Sequence, residues 1–582
     1  MFPGWTSTTL YVLAIIATVL AAARILRRLQ LSLAKHPSLR GHAKLSRRIA
    51  RMLPFFEYGP DEIFRVDGAP PEVEAQRREA FERLGTQLRE RAPETLAASA
   101  ELRGHISDVG FTDAYRVPFQ FRRRVQESLR VGNLVSASRG VQLCDLDGNW
   151  SYDLSGSYGV NVFGYDFYKE CIEAGAERAR ELGPVLGPYH PVIADNARRL
   201  AAISGLDEVS FHMSGTEAVM QAVRLARYHT RRRYLVRFCG AYHGWWDGVQ
   251  PGIGNSRPTA DVYTLEEMSE ATLRVLRTRK DIACVLVNPL QALHPNGNAP
   301  GDGMLVNSSR RAHYDKHAYA RWLGQLRRVC TERGIVLILD EVFLGFRVAH
   351  GGVQEYFGVE ADMVTYGKTL GGGLPVGVVC GRAELMRRHR DDRPTDICFA
   401  RGTFNSHPYV MTTMNELLRR VEEPARARTY EDLELRWERR ARVLNDRLLE
   451  QGLPVRFESM LSVWTTLYDQ PSAYNWMFQY YLRAQGLALS WVGSGRLIFS
   501  HDYGDEDFEA VCDRIVAAAE AMRDDGWWWR GPELSDASIN REILRRLVRA
   551  RLGWSRPIAA APAVRRARHR DHAPPSVPPD PR

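Results

Sequence analysis

The middle of the chain is punctuated by short apolar runs separated by longer stretches of helical periodicity. The runs are YLVRF (234–238), ACVLVNP (283–289), GIVLILD (334–340), DMVTY (362–366) and PVGVVCG (375–381). Apolar runs this short and this continuous mark strands buried on both faces. Their alternation with helical patterns predicts an α/β fold, a large domain with a mostly parallel sheet covered by helices. Sheets of this kind gather ligands at the C-terminal ends of their strands. Asp340 and Glu341 follow the run Ile335–Leu339; Gly367 and Lys368 follow Met363–Tyr366, and a glycine loop, Gly371–Gly373, comes next. Upstream, Asp147-Gly148-Asn149 is a tight turn between two alternating strands, predicting a hairpin. Downstream, helices mixed with SVWTTLY (462–468) and RLIFSHD (496–502) predict a smaller α+β lobe.

The flanks follow other patterns. Residues 1–23 carry no charge, and TLYVLAIIATVLAAA (9–23) is almost wholly apolar. A helix over Thr6–Ala23 would reach about 27 Å, close to the thickness of a bilayer's hydrocarbon core. Nine Lys/Arg follow before the first acid, Glu57. A cleaved signal would carry its charge ahead of the apolar run. Charge behind it predicts a single-pass membrane anchor, N-terminus out, with everything after it in the cytoplasm; a helix lying in the membrane surface is the alternative. PPEVEAQRREAFERLGTQLRERAPE, bounded by Pro70-Pro71 and Pro93, predicts one exposed helix. INREILRRLVRARL (539–552) predicts a short basic amphipathic helix. The expected organisation is a membrane anchor and basic juxtamembrane segment over 1–56 and a helical extension over 57–139. The large domain covers 140–399, the smaller lobe 400–530, and a basic helix with a disordered tail 531–582.

Composition narrows the function classes. Of 582 residues, 45% are hydrophobic and 25% charged, the balance of a folded protein. The net charge of +10 resides in the two ends, and acids slightly outnumber bases between them. That excludes a nucleic-acid-binding core and leaves basic ends suited to an anionic surface. Eight scattered cysteines without a CxxC pair read as buried free thiols of a reducing compartment, and no metal site is expected.

An acid at one strand end and a lysine just past another suit one cofactor, pyridoxal 5′-phosphate (PLP). Lys368 would hold it as a Schiff base, and Asp340 would keep its pyridine nitrogen protonated, making the ring an electron sink. Either half alone has an ordinary reading, a solvated acid pair or a surface lysine. Ser214-Gly215-Thr216-Glu217 follows VSFHM and opens a helix, whose free N–H groups suit a phosphate or belong to an ordinary cap. Tyr242-His243-Gly244 follows a strand and offers an aromatic ring to a flat heterocycle, or simply packs. FRRR (121–124) is a solvated charge run or a grip for a carboxylate or phosphate.

In order and spacing, FHMSGTEAVMQAVRLAR, FCGAYHGWWDG, LILDEVFLGFRVAHGGVQEYFGV, YGKTLGGGLPVG and RGTFNSHP resemble class III PLP-dependent aminotransferases. The resemblance covers roughly 140–525 and is closest to the glutamate-1-semialdehyde aminomutase-like branch, which includes the amino-transfer domains of polyketide assembly lines. It implies a fold-type I homodimer with sites at the subunit interface. Lys368 and Asp340 would be the catalytic pair. Val342 and Tyr242 would cover the two ring faces, with His243 beside them. Ser214, Gly215 and Thr216 would hold the phosphate, joined by Thr403 reaching over from the neighbouring subunit. Ser157 and Tyr158 match the position of an aromatic that lines the substrate pocket. Two departures stand out. The aminomutase's GGVNSPVR-type loop, whose arginine holds the substrate carboxylate, is replaced by FTDAYRVPFQFRRR, and the usual acid before Pro289 is Asn288.

The resemblance implies an enzyme moving an amino group between an amino-acid donor and a carbonyl acceptor. A bilayer anchor would suit a long-chain or carrier-bound aldehyde or ketone. An aminomutase or racemase is the alternative within the family, and a non-catalytic PLP-fold scaffold the alternative outside it.

Overall fold

The computed structural model describes residues 7–257, 260–297, 306–490 and 495–553. The hairpin ahead of the central sheet is β1 (Ala137–Arg139), β2 (Gln142–Cys144) and β3 (Trp150–Asp153), turning at Gly148, φ +81°. The central sheet has seven strands: β4 (Glu208–His212), β5 (Tyr234–Phe238), β6 (Val262–Leu265), β7 (Ile282–Val287), β8 (Val336–Asp340), β9 (Met363–Gly367) and β10 (Gly377–Gly381). Their order is β4-β10-β9-β8-β7-β5-β6. Every residue of β7, β8, β9 and β10 is buried, as their unbroken apolar sequences require.

The sheet is mixed, where a mostly parallel one was expected. Strands β6, β5, β7, β8 and β9 run parallel, whereas β10 is antiparallel to both β9 and β4. The cause is loop length. Only Lys368–Val376 joins β9 to β10, too few residues for the crossover that a parallel pair needs. The strand β6 was not among the runs read from the sequence, because VYTL is short and ends in Glu266-Glu267. In the smaller lobe β11 (Val455–Met460), β12 (Val463–Tyr468) and β14 (Arg496–Ile498) form an antiparallel sheet. Strand β13 (Leu487–Ala488) adds in parallel to β3 and ties the lobe to the hairpin.

The extension is built into the body. The helix Pro71–Arg91 buries Arg77, Phe81, Leu84 and Leu88, so the stripe that reads as exposed is covered. Arg77 pairs with Asp67 at 2.7 Å with both side chains inaccessible, and its guanidinium lies 4.5 Å from the Tyr474 ring centroid. The C-terminal helix spans Asp536–Arg551, and the tail beyond Gly553 lies outside the described residues.

The expected membrane anchor is overturned. Ser7–Leu33 is a single 27-residue helix, yet no helix among the described residues is long and apolar enough to cross a membrane. Arg24, Arg27 and Arg28 lie within that helix. Its charge-free part, Ser7–Ala23, reaches only about 25 Å at 1.5 Å per residue, short of a ~30 Å hydrocarbon core. Its far end docks on the catalytic body, where Ala34 is fully buried and its carbonyl accepts from Glu266 N at 2.8 Å. The single-pass topology falls with the anchor, as do the cytoplasmic placement deduced from it and the argument for a bilayer-borne substrate.

Candidate active site

Strand register sets the site. Asp340 ends β8 opposite Thr365 on β9, two residues before Gly367. Its side chain is held from three sides. Oδ1 accepts from Val342 N (3.2 Å) and Thr365 Oγ1 (3.3 Å), and Oδ2 lies 2.7 Å from His243 Nδ1. His243 is fully buried, and burial holds its pKa below the usual imidazole value against the opposing pull of Asp340. A neutral ring that donates through Nδ1 to a carboxylate leaves Nε2 as an acceptor, and that atom is buried without a partner among the described residues. The Asp340 carboxyl is thus fixed in place by three donors, with acceptor capacity left over for a protonated ring nitrogen.

Lys368 lies just beyond β9 in the left-handed region, φ +48°. Burial lowers the pKa of its amine; Asp340 opposes that and Arg347 adds to it. Arg347 is inaccessible and donates to Ser462 Oγ and to the carbonyls of Phe499 and Asn161, so its charge faces no carboxylate among the described residues. Both cations flank one ring: Lys368 Nζ and Arg347 Cζ each lie 5.6 Å from the Phe343 centroid.

The helix Gly215–Thr230 delivers its N-terminus to the same place. Ser214 caps it, its Oγ accepting from Glu217 N at 3.3 Å, while Glu217 reaches back to Met213 N at 2.9 Å. The first N–H groups of the helix remain directed outward, the arrangement that receives a phosphate. No side chain fits at Gly215, where a Cβ would stand 2.7 Å from Val342 Cγ1. Thr216 is approached as closely by Gly244, φ +89°, whose Cβ would meet its Oγ1 at 2.3 Å. Tyr242 is 59% exposed on the open side, and its carbonyl accepts from Asn288 Nδ2 at 2.8 Å. Asn288 Oδ1 takes Leu290 N, so the amide uses both of its ends. A carboxylate at this position could not donate to Tyr242, which gives the departure at Asn288 a local reason.

The fold thus brings Ser214, Gly215, Thr216, Tyr242, His243, Asp340, Val342 and Lys368 together. Ser157 and Tyr158 are one packing layer away: a Cβ on the next residue, Gly159, would stand 2.6 Å from the Phe343 ring. Thr403 is exposed in the loop before the helix Pro408–Val421, apart from this cluster within its own chain. Sequence reading passed over Phe343, Arg347 and Thr365. Phe343 and Arg347 adjoin the Asp340–Val342 segment, and Thr365 faces Asp340 across the sheet, a relation only register reveals. The basic residues of 116–124 do not join the site. Arg116 pairs with Asp113 (3.6 Å), Arg123 with Glu127 (3.3 Å), and the guanidiniums of Arg122 and Arg124 cover the rings of Tyr115 and Phe81.

A helix end for a phosphate, a carboxylate for a ring nitrogen and a buried lysine between them fit PLP, and the fold is that of the fold-type I enzymes. The chain belongs to the class III aminotransferase family, whose sequence model, "Aminotransferase class-III", matches residues 125–518. Among curated relatives, glutamate-1-semialdehyde 2,1-aminomutase of Nitratidesulfovibrio vulgaris is 30% identical over 399 residues, covering 65% of this chain and 90% of its own. The Aquifex aeolicus protein of the same name is 32% identical over 338 residues, covering 57% and 76%. Among solved structures, one titled "Transaminase with PLP bound" superposes with a TM-score of 0.59 at 25% identity over 74% of this chain and 99% of its own. A glutamate-1-semialdehyde aminomutase from Pseudomonas aeruginosa shares the fold, with a TM-score of 0.62 at 19% identity over 78% and 99%. The protein is therefore a PLP-dependent enzyme of this family.

Proposed function

We propose that the enzyme transfers an amino group between an amino-acid donor and a separate carbonyl acceptor. PLP supplies the electron sink at Cα of the bound amine. Gly215, Thr216 and the helix N-terminus behind them would hold its phosphate, Asp340 would hold a proton on its ring nitrogen, and Tyr242 and Val342 would cover its faces. Lys368, which burial favours in its uncharged form, would take the proton from Cα and return it.

The observation that favours transfer over an internal amino shift is the fate of the basic residues at 116–124. In the aminomutase pattern an arginine from this part of the chain holds the substrate carboxylate. Here Arg116, Arg122, Arg123 and Arg124 are all engaged in packing or ion pairs away from Lys368. The second reading, an aminomutase, draws support from the names of the curated relatives. The two separate on acceptor dependence: sustained turnover that requires an added 2-oxo acid or aldehyde supports transfer, and turnover without one supports the mutase.

The working unit is proposed to be a homodimer. Tyr242 and Trp245 beside the site, and Ile253, Phe399 and Phe404 in other loops, are all at least half exposed, apolar surface that a second copy would cover. Thr403, beside Phe404, would then complete the partner's phosphate site. Sedimentation of the active enzyme checks this directly: full activity in a monomer rules it out.

A further inference from the structure

Gly156, Ser157 and Tyr158 are three successive residues in the left-handed region, with φ of +52°, +45° and +56°. Two of them carry side chains, and such residues resist this conformation because Cβ crowds the following carbonyl. Strain of this kind persists only where the surroundings impose it. Here a hydrogen-bond chain does so. Asp153, 1% exposed at the end of β3, takes Ser155 N (2.9 Å) and Ser155 Oγ (2.6 Å) on Oδ1 and Tyr165 Oη (2.6 Å) on Oδ2. Ser157 Oγ lies 2.7 Å from the same Tyr165 Oη. On the other side, Gly156 is pressed against Ile498 and Gly159 against Phe343.

The direction of the chain follows from its anchor. Burial raises the pKa of Asp153, but the backbone N–H groups of Ser155 and Gly156, which can only donate, and the hydroxyls of Ser155 and Tyr165 oppose it and favour the carboxylate, which only accepts. Tyr165 must therefore give its proton to Asp153, and its oxygen then receives the proton of Ser157. The Ser157 hydroxyl is left with lone pairs alone. It stands on the turn that meets Phe343, the ring 5.6 Å from Lys368 Nζ.

We propose that this turn is a specificity element. Ser157 acts as a fixed hydrogen-bond acceptor, and Asp153 and Tyr165 are the positioning residues that keep it one. The substrate class it selects is a carbonyl compound, or its amine, bearing a hydrogen-bond donor near the reacting carbon: a hydroxyl, an amide N–H or an ammonium group. A carboxylate or an ether at that point meets lone pair against lone pair. The inference rests on the proposed amino transfer and deepens it by naming what the pocket reads.

The test uses holoenzyme and matched unreactive ligands that differ only in a hydroxyl, a methyl ether or a carboxylate at one carbon. Equilibrium binding and kcat/KM of the corresponding aldehydes are both measured. The wild type should prefer the hydroxyl by about 10-fold to 100-fold, since a buried acceptor left unpaired is the alternative. Tyr165→Phe frees the Ser157 proton. The preference should shrink to about threefold, chiefly through tighter binding of the ether. Ser157→Ala, which leaves Tyr165 and Asp153 paired, should shrink it to the same extent through weaker binding of the hydroxyl compound. Cofactor affinity should stay unchanged in both. An unaltered preference in Ser157→Ala overturns the proposal, as does a wild type that favours ether or carboxylate. Parallel loss of cofactor affinity would assign the turn to the cofactor instead and overturn it too. A wild type that shows the ligand preference yet requires no acceptor contradicts the transfer reading alone.

Discussion

At the scale of single residues, Lys368 concentrates the account. It occupies the left-handed region at φ +48°, and burial lowers its pKa, with Asp340 opposing and Arg347 adding to the shift. A lysine with a lowered pKa is a free base at lower pH than usual. Capture of PLP by the apoprotein should therefore plateau at a pH below the ordinary lysine value of about 10.4, as read by visible absorbance; a plateau only above that value contradicts the arrangement. Lys368→Ala should fold, bind PLP without the visible absorbance of the lysine-bound cofactor, and lose turnover by at least about 1000-fold. Asp340 and Lys368 stand out in the sequence as a pair, an acid at the end of one apolar run and a lysine just past another, although either alone has an ordinary reading. The Asp340–His243 bond was not legible there, since the two residues lie 97 positions apart and only the β5–β7–β8 pairing brings them together. Nor was Phe343, whose chemistry is invisible until two cations are seen beside its ring.

At the scale of elements, the N-terminus of the helix Gly215–Thr230 and the short β9–β10 connection decide the geometry. A Cβ at Gly215 would force Val342 aside, so Gly215→Ala should weaken PLP binding by about 10-fold or more through overpacking of roughly 1–3 kcal/mol. Fluorescence titration of the apoprotein measures it, and an unchanged affinity would remove the helix end from the phosphate site. The strands and the cap were readable because periodicity and capping are local. The reversal of β10 was readable in principle from the nine residues that separate it from β9, yet an apolar run carries no direction. The helix Pro71–Arg91 shows the converse limit. Its polar composition reads as exposed, while burial of Arg77 depends on nearby Asp67 and on Tyr474 and Trp527, hundreds of residues further along the chain.

At the scale of the whole molecule, the catalytic body ties in segments beyond the family match at both ends. Arg546 of the last helix pairs with Glu62 of the extension at 3.3 Å, and Ala34 docks on Glu266. Between Tyr11 and Leu29, by contrast, the N-terminal helix is largely exposed. Deleting residues 1–30 should thus shift the melting temperature by no more than about 2 °C and leave turnover on a small water-soluble substrate intact. The length and apolarity of this segment were legible; that its charges sit within the same helix and its end docks on the body was not.

Buried acids set a pH signature for the whole fold. Burial raises both Glu267 and Glu341 to about 8. Their unfolded values lie near 4.5. Stability from these groups is therefore complete below about pH 4.5 and is lost as pH rises through about 8, because the unfolded chain releases their protons first. Glu267→Gln and Glu341→Gln should each flatten the decline in denaturation midpoint across that window. A slope identical to wild type in both would mean the two acids are already ionised in the fold.

The central claim, amino transfer through PLP held on Lys368, is tested most directly by a single half-reaction. Holoenzyme is mixed with an amino-acid donor and no acceptor, and the 2-oxo acid released is counted against enzyme sites. The account predicts one equivalent per site, loss of the cofactor's visible absorbance, and no further product until a carbonyl compound is added. Continued formation of an isomerised amino compound, with no oxo acid released, would contradict it.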